Sequence, residues 1–241
     1  MRAQLIPKKP IMVIALACQS AGGKGTVRGH LERLAQVHQV NCISIGSTEL
    51  RLALNCSSQA SRDEIRQAMN THPLKDEFGF PFTLYVPQIV PRCTSVPTIC
   101  IVDGLRRGDQ ADYLQTIFPN QHATVTVVWI DRPFDQCRDA LVSRDGLTEA
   151  EAIDFLLQEK SGAAPCIDLE SVRNMAHHNL SNCDGLDELY GRVERFWRSI
   201  VWTGLDTRQR PSLTASEGHA FLDHTPCGRW LTECPPRGND S

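Results

Sequence analysis

The stretch VIALACQSAGGKGTVRGHL, Val13 to Leu31, joins two different periodicities through a glycine-rich turn. The apolar run from Ile11 to Ala17 is short and bounded by turn residues, which predicts a fully buried β-strand. From Thr26 to Val37 the apolar residues recur at helical spacing, which predicts an amphipathic helix. A strand, a turn with two glycines and a helix in this order predict a loop whose backbone approaches a ligand closely.

The residue types of this turn are those that bind phosphate, namely Gly22, Gly23, Lys24, Gly25 and Thr26. Glycines let backbone N–H groups converge on phosphate oxygens, and the following helix adds its unpaired donors and the positive end of its dipole. A lysine at this place reaches the β- and γ-phosphates, and a neighbouring hydroxyl binds phosphate or helps to position magnesium. We therefore expect ATP and Mg²⁺ as cofactors, with Thr26 beside the metal.

The loop departs twice from the common pattern G-x-x-x-x-G-K-[ST]. Cys18 stands where the first glycine is usual, and Gly25 comes between Lys24 and Thr26. Cysteine is small, so the turn is kept if the φ angle of that residue is negative. A positive φ would cost about 1–2 kcal/mol and would loosen the grip on the nucleotide.

The composition excludes several classes of partner. The 241 residues suffice for one α/β domain, or for one domain and a tail, and 41% of them are hydrophobic. A net charge of −3 does not favour general binding to nucleic acid or to an anionic membrane. No apolar run approaches the roughly 20 residues that cross a bilayer. We expect small-molecule nucleotide substrates, no nucleic acid and no membrane, and a monomer or weak dimer.

The N-terminal segment and the cysteines bear on the compartment. The first residues resemble a signal peptide, but cleavage after their apolar stretch would destroy the glycine-lysine loop, so we expect a retained, cytoplasmic chain. The ten cysteines are scattered and form no C-x-x-C, which leaves a four-cysteine zinc site unsupported. We interpret them as reduced thiols.

Strand and helix patterns alternate along the chain, which indicates a parallel sheet covered on both faces. The run from Thr98 to Asp103 is the clearest strand after the first. We predict an α/β, three-layer P-loop fold with a parallel sheet of about five strands and helices on both faces. Residues 1–202 are predicted to form this domain; the family resemblance given next implies that it contains an acceptor-binding insertion at about 44–90 and a short lid at about 144–165. Residues 203–241, rich in polar residues and proline, are predicted to be an irregular C-terminal tail.

The G-K-G-T of the loop resembles the adenylate kinase family of nucleoside monophosphate kinases. ISIGSTELR, Ile43 to Arg51, is similar to that family's I-S-T-G-D-x-L-R segment, with one extra residue and no aspartate after the glycine. IVDGLRRGDQADYL, Ile101 to Leu114, is similar to its D-G-F-P-R…Q-A segment, and VTVVWIDRPFDQCRDALVSR resembles the strand and helix before its ATP lid. The agreement covers about residues 11–145, whereas NMAHHNLSNCDGLDELYGRVERF is closer to dephospho-CoA and deoxynucleotide kinases.

The resemblance implies an acceptor site. Ser44, Gly46 and Arg51 would hold the acceptor monophosphate, and Gln110 would face its base. Each residue also has an ordinary structural interpretation, as part of a strand, a helix start or the surface.

Position along the chain indicates further roles. Asp103 ends a strand beside the loop, where a carboxylate can order magnesium-bound water or simply cap a helix. Arg107 follows Asp103 closely and is expected to contact phosphate, although Arg106 could take its place. Arg138 and Arg144 lie about two helical turns apart before the lid, where they could clamp the transferring phosphoryl group or remain solvated.

These residues predict ATP-dependent, magnesium-dependent phosphoryl transfer to a nucleoside monophosphate. Such a reaction needs positive charge and exclusion of water rather than a general base, because the attacking phosphate oxygen is already ionised. A kinase of another small acceptor, such as dephospho-CoA, is one alternative, with Asp103 as base for a hydroxyl acceptor. A non-catalytic nucleotide-binding protein is the other.

Overall fold

A computed structural model describes residues 11–89, 98–118, 123–162 and 167–202. The chain divides into two units, Met1–Leu205 and Asp206–Ser241, and all the described residues belong to the first. The predicted tail, 203–241, lies outside the described residues.

Five strands form one parallel sheet in the order β2-β3-β1-β4-β5. The predicted fold class is confirmed by this sheet and by the helices on its two faces. The strands are β1 (Ile11–Ala17), β2 (Asn41–Ile45), β3 (Thr98–Asp103), β4 (Ala123–Asp131) and β5 (His178–Ser181).

Nine α-helices are assigned in the described part of the chain. They are α1 (Lys24–Val37), α2 (Ser47–Ala53), α3 (Arg62–Thr71), α4 (Phe82–Ile89), α5 (Gly108–Ile117), α6 (Phe134–Asp145), α7 (Glu149–Ser161), α8 (Leu169–Asn174) and α9 (Leu186–Phe196). A π-helical turn, Trp197–Trp202, continues α9.

The alternating side chains of β1 divide the core into two layers. Val13 and Ala15 face the layer that holds α4, α5 and α8, whereas Ile14 and Leu16 face α1 and α9. All seven residues of β1 are buried, as expected for the middle strand of a sheet covered on both faces.

Three short helices are not apparent from the sequence pattern: α2, α4 and α8. The prolines around α4 predict no long helix, and the helix that forms there has eight residues with Pro87 near its end. Helices of this length are stabilised by packing rather than by their own periodicity. Tyr85 and Val86 of α4 and Val172 of α8 accordingly lie in the core.

Most of the segment predicted to be a short lid is helical. The helix α7 packs on α6 through a small apolar cluster of Cys137, Leu141, Ala152 and Leu156. Thr148 begins α7 with a capping box, in which its hydroxyl accepts from the Glu151 N–H and the Glu151 carboxylate accepts from the Thr148 N–H. The described part of this segment is therefore a packed helix, whose last turn reaches the site described next.

Candidate active site

A cavity of about 670 Å³ lies at the carboxyl edge of the sheet. Register places the ends of neighbouring strands together: Leu16 of β1 is opposite Asp103 of β3, and Ala17 is opposite Trp129 of β4. The segments that follow β1, β2, β3 and β4 all contribute to its wall. This is where ligands bind in open α/β sheets.

The glycine-lysine loop forms one end of the cavity, with every residue from Gly22 to Thr26 in its wall. Ala21 has a φ of 61° and Gly23 a φ of 104°, whereas Gly22 between them is not in the left-handed region. Such alternation turns successive backbone N–H groups to one side. Among the described residues no side chain caps the start of α1, so the N–H groups of its first turn are suited to an anion.

Gly23 cannot readily be replaced by another residue. Its φ is in the left-handed region, and a Cβ there would lie 2.5 Å from the Asn182 Nδ2 atom. The same amide nitrogen donates to the Gly22 carbonyl at 3.0 Å. Asn182, just after β5, thus supports the loop from the side.

The Cys18 side chain fills the space that Gly22 leaves open. A Cβ on Gly22 would lie 2.7 Å from the Cys18 Sγ atom and 2.8 Å from its Cβ. The Cys18 thiol donates to the Gln19 carbonyl at 2.7 Å, and the Lys24 ammonium donates to the same sulfur at 3.3 Å. Cysteine in place of the first glycine is therefore accommodated by a glycine four residues later.

Glu159, in the last turn of α7, is bonded to the loop. Its carboxylate accepts from the Ser20 N–H at 2.8 Å, from the Ser20 hydroxyl at 2.7 Å and from Arg106 Nη1 at 2.7 Å. Burial alone raises the pKa of this carboxyl, but the Arg106 charge and the Ser20 hydrogen bonds together bring the pKa below its usual value. Glu159 is therefore an ionised group inside the cavity wall.

Asp103 lies in the cavity wall at the end of β3, beside the loop as predicted. Its Oδ2 atom accepts from Arg28 Nη1 of α1 at 3.1 Å, and 17% of its side chain is exposed. The position is suited to ordering water near the loop, and the ion pair with Arg28 holds the carboxylate there.

Cationic side chains outnumber carboxylates around the cavity. Two carboxylates, Asp103 and Glu159, face six cationic groups. These are Lys24, Arg51, Arg66, Arg106, Arg132 and Arg144. The Nε atoms of Arg51 and Arg132 are buried without a hydrogen-bond partner among the described residues. Buried donors of this kind are normally paired, so the cavity is suited to a ligand with several negative charges.

An apolar wall lies in the same cavity. It is contributed by α2, α3 and α4 of the predicted insertion, by Phe155 of α7 and by Ile167. Its members are Leu50, Ile65, Met69, Pro81, Phe82, Tyr85, Phe155 and Ile167. The Arg66 guanidinium lies 5.1 Å from the centroid of the Phe155 ring, so a residue of α3 contacts α7. The cavity thus offers space for a flat organic group next to a cluster of positive charges.

Several residues predicted for the site lie outside the cavity wall. Arg107 forms a two-bonded ion pair with Asp109, and Arg106 takes its place in the wall. The Ser44 hydroxyl donates to Glu32 of α1. Arg138 pairs with Asp139 and with Glu149 of α7. Direct contact with a ligand in the cavity is therefore not supported for these three predicted residues.

The other predicted residues do border the cavity. Gly46 and Arg51 lie in its wall after β2, and Arg144 lies at the end of α6, where it pairs with Asp145. Gln110 is 1% exposed, donates to the Phe80 carbonyl, and accepts from the Arg106 and Arg107 N–H groups. These bonds hold the turn after β3. They account for the burial of Gln110 without the predicted contact with an acceptor base.

Arg132, Glu159 and Asn182 are site residues that the sequence analysis did not identify. Arg132 follows β4 directly, and its Nη1 donates to the Ala21 carbonyl at 2.7 Å. The position of this arginine directly after a predicted strand is the feature of the sequence that indicates a place at the carboxyl edge of the sheet. Glu159 is separated from Ser20 by 139 residues, and its helical pattern carries no sign of that contact.

Three further observations concern the chemistry of the chain. Within the described ranges, no cluster of three or more His, Cys, Asp or Glu side chains could hold a metal ion. The helices described there include none that is both long and apolar enough to span a membrane. Cys18, Cys42, Cys56, Cys100 and Cys137 are free, whereas Cys183 is disulfide-bonded, which corrects the expectation of reduced thiols throughout.

No protein-family model and no curated protein matches the sequence. Among solved structures, TT1252 from Thermus thermophilus is 13% identical, with a TM-score of 0.47 over 81% of this chain and 98% of that one. The APS kinase of Mycobacterium tuberculosis, determined in complex with AMPPNP and APS, is 13% identical, with a TM-score of 0.47 over 80% and 99%. Shikimate kinase from Bacteroides thetaiotaomicron is 15% identical, with a TM-score of 0.43 over 79% and 97%. Similarity to these structures at this level of identity and TM-score does not indicate a substrate. The function therefore has to be inferred from the cavity.

Proposed function

We propose that this protein transfers a phosphoryl group from ATP to a nucleoside monophosphate with the help of Mg²⁺. The observation that carries the proposal is that the glycine-lysine loop, a second group of arginines and an apolar wall meet in one cavity. A nucleoside triphosphate and a nucleoside monophosphate carry the negative charges that would bind to the loop and the arginines, and a flat base that would pack on the apolar wall.

The loop fits the donor. Three kinds of donor there are suited to bind an anion. They are the uncapped N–H groups at the start of α1, the Lys24 ammonium and the buried Arg132 Nε atom. ATP would supply the transferable group, and these residues would bind its phosphates and offset the charge that develops during transfer.

Magnesium fits beside Thr26 rather than in a cage of protein ligands. Thr26 and Asp103 both lie in the cavity wall, and the Asp103 Oδ2 atom is the one that accepts from Arg28. Magnesium commonly keeps several waters and takes one or two protein ligands together with substrate phosphates. Thr26 would contact the ion and Asp103 would orient a water bound to it.

The acceptor phosphate would bind to Arg51 and Arg106, which follow β2 and β3. Arginine forms paired hydrogen bonds with phosphate oxygens. The apolar wall from α2, α3 and α4 would hold the base. Donor and acceptor would then lie on two sides of one cavity, as in-line transfer requires.

The carboxylates favour an acceptor that is already ionised. Asp103 accepts from Arg28, and Glu159 accepts from Arg106 and Ser20. A phosphate oxygen needs no base, whereas a hydroxyl acceptor, as in dephospho-CoA, would need Asp103 to leave Arg28. The nucleoside monophosphate is therefore the acceptor that the geometry favours.

The test is ADP release measured by a coupled assay across nucleoside monophosphates and dephospho-CoA. Lys24→Ala should remain folded and lose at least about a hundredfold in kcat, because one charge on the transferring group is lost. Lys160→Ala changes an exposed lysine of α7 outside the cavity and should match the unaltered protein.

Two results would contradict the proposal. Near-normal turnover in a folded Lys24→Ala variant would remove the kinase assignment. Tight ATP binding without turnover on any acceptor would instead support the non-catalytic nucleotide-binding protein.

A further inference from the structure

Glu159 is a buried carboxylate in a cavity suited to anions. Glu159 is 2% exposed and lies in the cavity wall, which also contains Lys24 and Arg106. Burying an ionised carboxylate is costly unless hydrogen bonds and an opposite charge compensate it. A negative charge beside a phosphate site also opposes binding, so its presence calls for an explanation.

The carboxylate joins three separate segments. Ser20 belongs to the loop after β1, Arg106 to the turn after β3, and Glu159 to the last turn of α7. The Oε2 atom accepts from the Ser20 N–H, while Oε1 accepts from both the Ser20 hydroxyl and Arg106 Nη1. The carboxylate therefore links the position of α7 to the positions of the loop and of Arg106.

The ion pair fixes the direction of Arg106. A guanidinium carries five N–H donors in a rigid plane, so a bond to Nη1 orients the remaining ones. About a quarter of the Arg106 side chain, 27%, stays exposed and borders the cavity. The guanidinium is thus held on one side by Glu159 and open to a ligand on another.

We propose that Glu159 is a positioning residue of the phosphoryl-transfer site: through α7 it sets the Arg106 guanidinium and anchors the glycine-lysine loop at Ser20. The inference rests on the proposed function and extends it to a residue that acts through Arg106 and Ser20. Glu159 aligns the cationic group on the acceptor side with the loop on the donor side.

A purely structural role makes a different prediction. If Glu159 only fastened α7 to the sheet, its replacement would lower the melting temperature and leave kcat of the folded protein unchanged. A positioning role lowers kcat in protein that is fully folded, because misplacement by about 1 Å can cost up to about a hundredfold in rate.

Two substitutions at Glu159 separate its contacts. In Glu159→Gln the amide oxygen can still accept from the Ser20 N–H and the amide nitrogen can donate to the Ser20 hydroxyl, while both the negative charge and the hydrogen-bond acceptor that face Arg106 are lost. Glu159→Ala removes all three bonds. The matched control is Glu149→Gln, an exposed glutamate of the same helix that pairs with Arg138 at 3.2 Å outside the cavity.

The experiment measures kcat, both KM values and, by calorimetry, the affinity for AMPPNP with Mg²⁺. Glu159→Gln should lower kcat at least about tenfold and keep AMPPNP affinity within about threefold. Glu159→Ala should in addition weaken AMPPNP at least about tenfold, since the loop loses its anchor. Glu149→Gln should behave as the unaltered protein.

The inference is overturned if folded Glu159→Gln keeps kcat within about threefold of the unaltered protein. If the unaltered protein transfers phosphate to no acceptor, the proposed function fails, and the role of Glu159 is then tested by AMPPNP binding alone. Weaker binding of AMPPNP by Glu159→Ala supports Glu159 as the anchor of the loop, and unchanged affinity overturns it. If Glu159→Ala does not fold, Ser20→Ala replaces it in that comparison. That variant removes one anchoring bond without leaving the carboxylate unpaired, and the same two outcomes apply.

Discussion

Cys18 and Gly22 form one packing unit in the glycine-lysine loop. The Cys18 side chain occupies the space where a Cβ on Gly22 would stand, at 2.7 Å from the sulfur. The loop therefore tolerates a side chain at its first position because it lacks one four residues later. The sequence shows both residues, but their dependence becomes apparent only from the way the turn folds back on itself.

This dependence predicts a compensating pair of substitutions. Gly22→Ala should lower the free energy of unfolding by about 1–3 kcal/mol, because the new methyl group meets the Cys18 side chain. In a Cys18→Gly background the same substitution should cost less by about 1 kcal/mol or more, since only the Gln19 carbonyl at 3.0 Å stays close.

Urea unfolding of the four proteins measures this coupling. An equal cost of Gly22→Ala in both backgrounds would show that the backbone of the loop, rather than Cys18, requires the glycine. Cys18→Ala is a useful intermediate, because it keeps the Cβ and removes the sulfur that contacts Lys24 at 3.3 Å.

At the scale of elements, α1 and α9 contact each other through a buried histidine. His30 of α1 is 3% exposed, and its ring stacks on Tyr190 of α9 with centroids 4.4 Å apart. Burial, and secondarily the Arg33 charge, lower the pKa of His30 below its usual value, although Glu194 opposes the shift. Arg33 Nη2 lies 2.6 Å from the ring Nδ1, which suits a neutral ring that accepts there.

This packing predicts a pH-dependent stability. Because the folded protein binds the proton of His30 less readily than the unfolded chain, the neutral ring stabilises the fold above its ordinary pKa of 6.5, and this contribution is lost as pH falls. Between about pH 8 and about pH 5.5 the melting temperature should fall less in His30→Gln than in the unaltered protein. Parallel curves for the two proteins would rule out His30 as the titrating group.

The elements differ in how far their sequence determines them. The strand β3 was predicted from a run of β-branched residues and the helix α1 from periodic apolar residues, and both patterns pack in the core. The helices α2 and α8 have seven and six residues, too few to show a period, and depend on tertiary contacts. Elements long enough to show a clear apolar pattern were therefore predictable from the sequence, and helices of six or seven residues were not.

For the whole molecule, the position of the cavity followed from the sheet, and its exact lining did not. Parallel strands with alternating helices bring their carboxyl ends to one edge, so Lys24, Asp103 and Arg51 could be placed together from the sequence. The choice of Arg106 over Arg107 depends on the direction of a single turn, in which Arg107 meets Asp109. The contact of Glu159 with Ser20 spans 139 positions and depends on how α7 packs.

The final prediction concerns where the folded unit ends. Trp197 and Val201 of the π-helical turn are 1% and 0% exposed and belong to the same core layer as Ile14 and Leu31. The sequence from 203 onward shows no strong periodicity. A chain ending at residue 202 should therefore keep its melting temperature within about 2 °C and retain ATP-dependent turnover.

A chain ending at residue 196 is the matched control. It lacks Trp197 and Val201, and losing two large buried side chains should lower the melting temperature by at least about 10 °C. Calorimetric melting of both chains beside the full one makes the comparison. A fall of similar size in the chain ending at residue 202 would mean that residues 203–241 contribute to the core, and the proposed boundary would move toward the C-terminus.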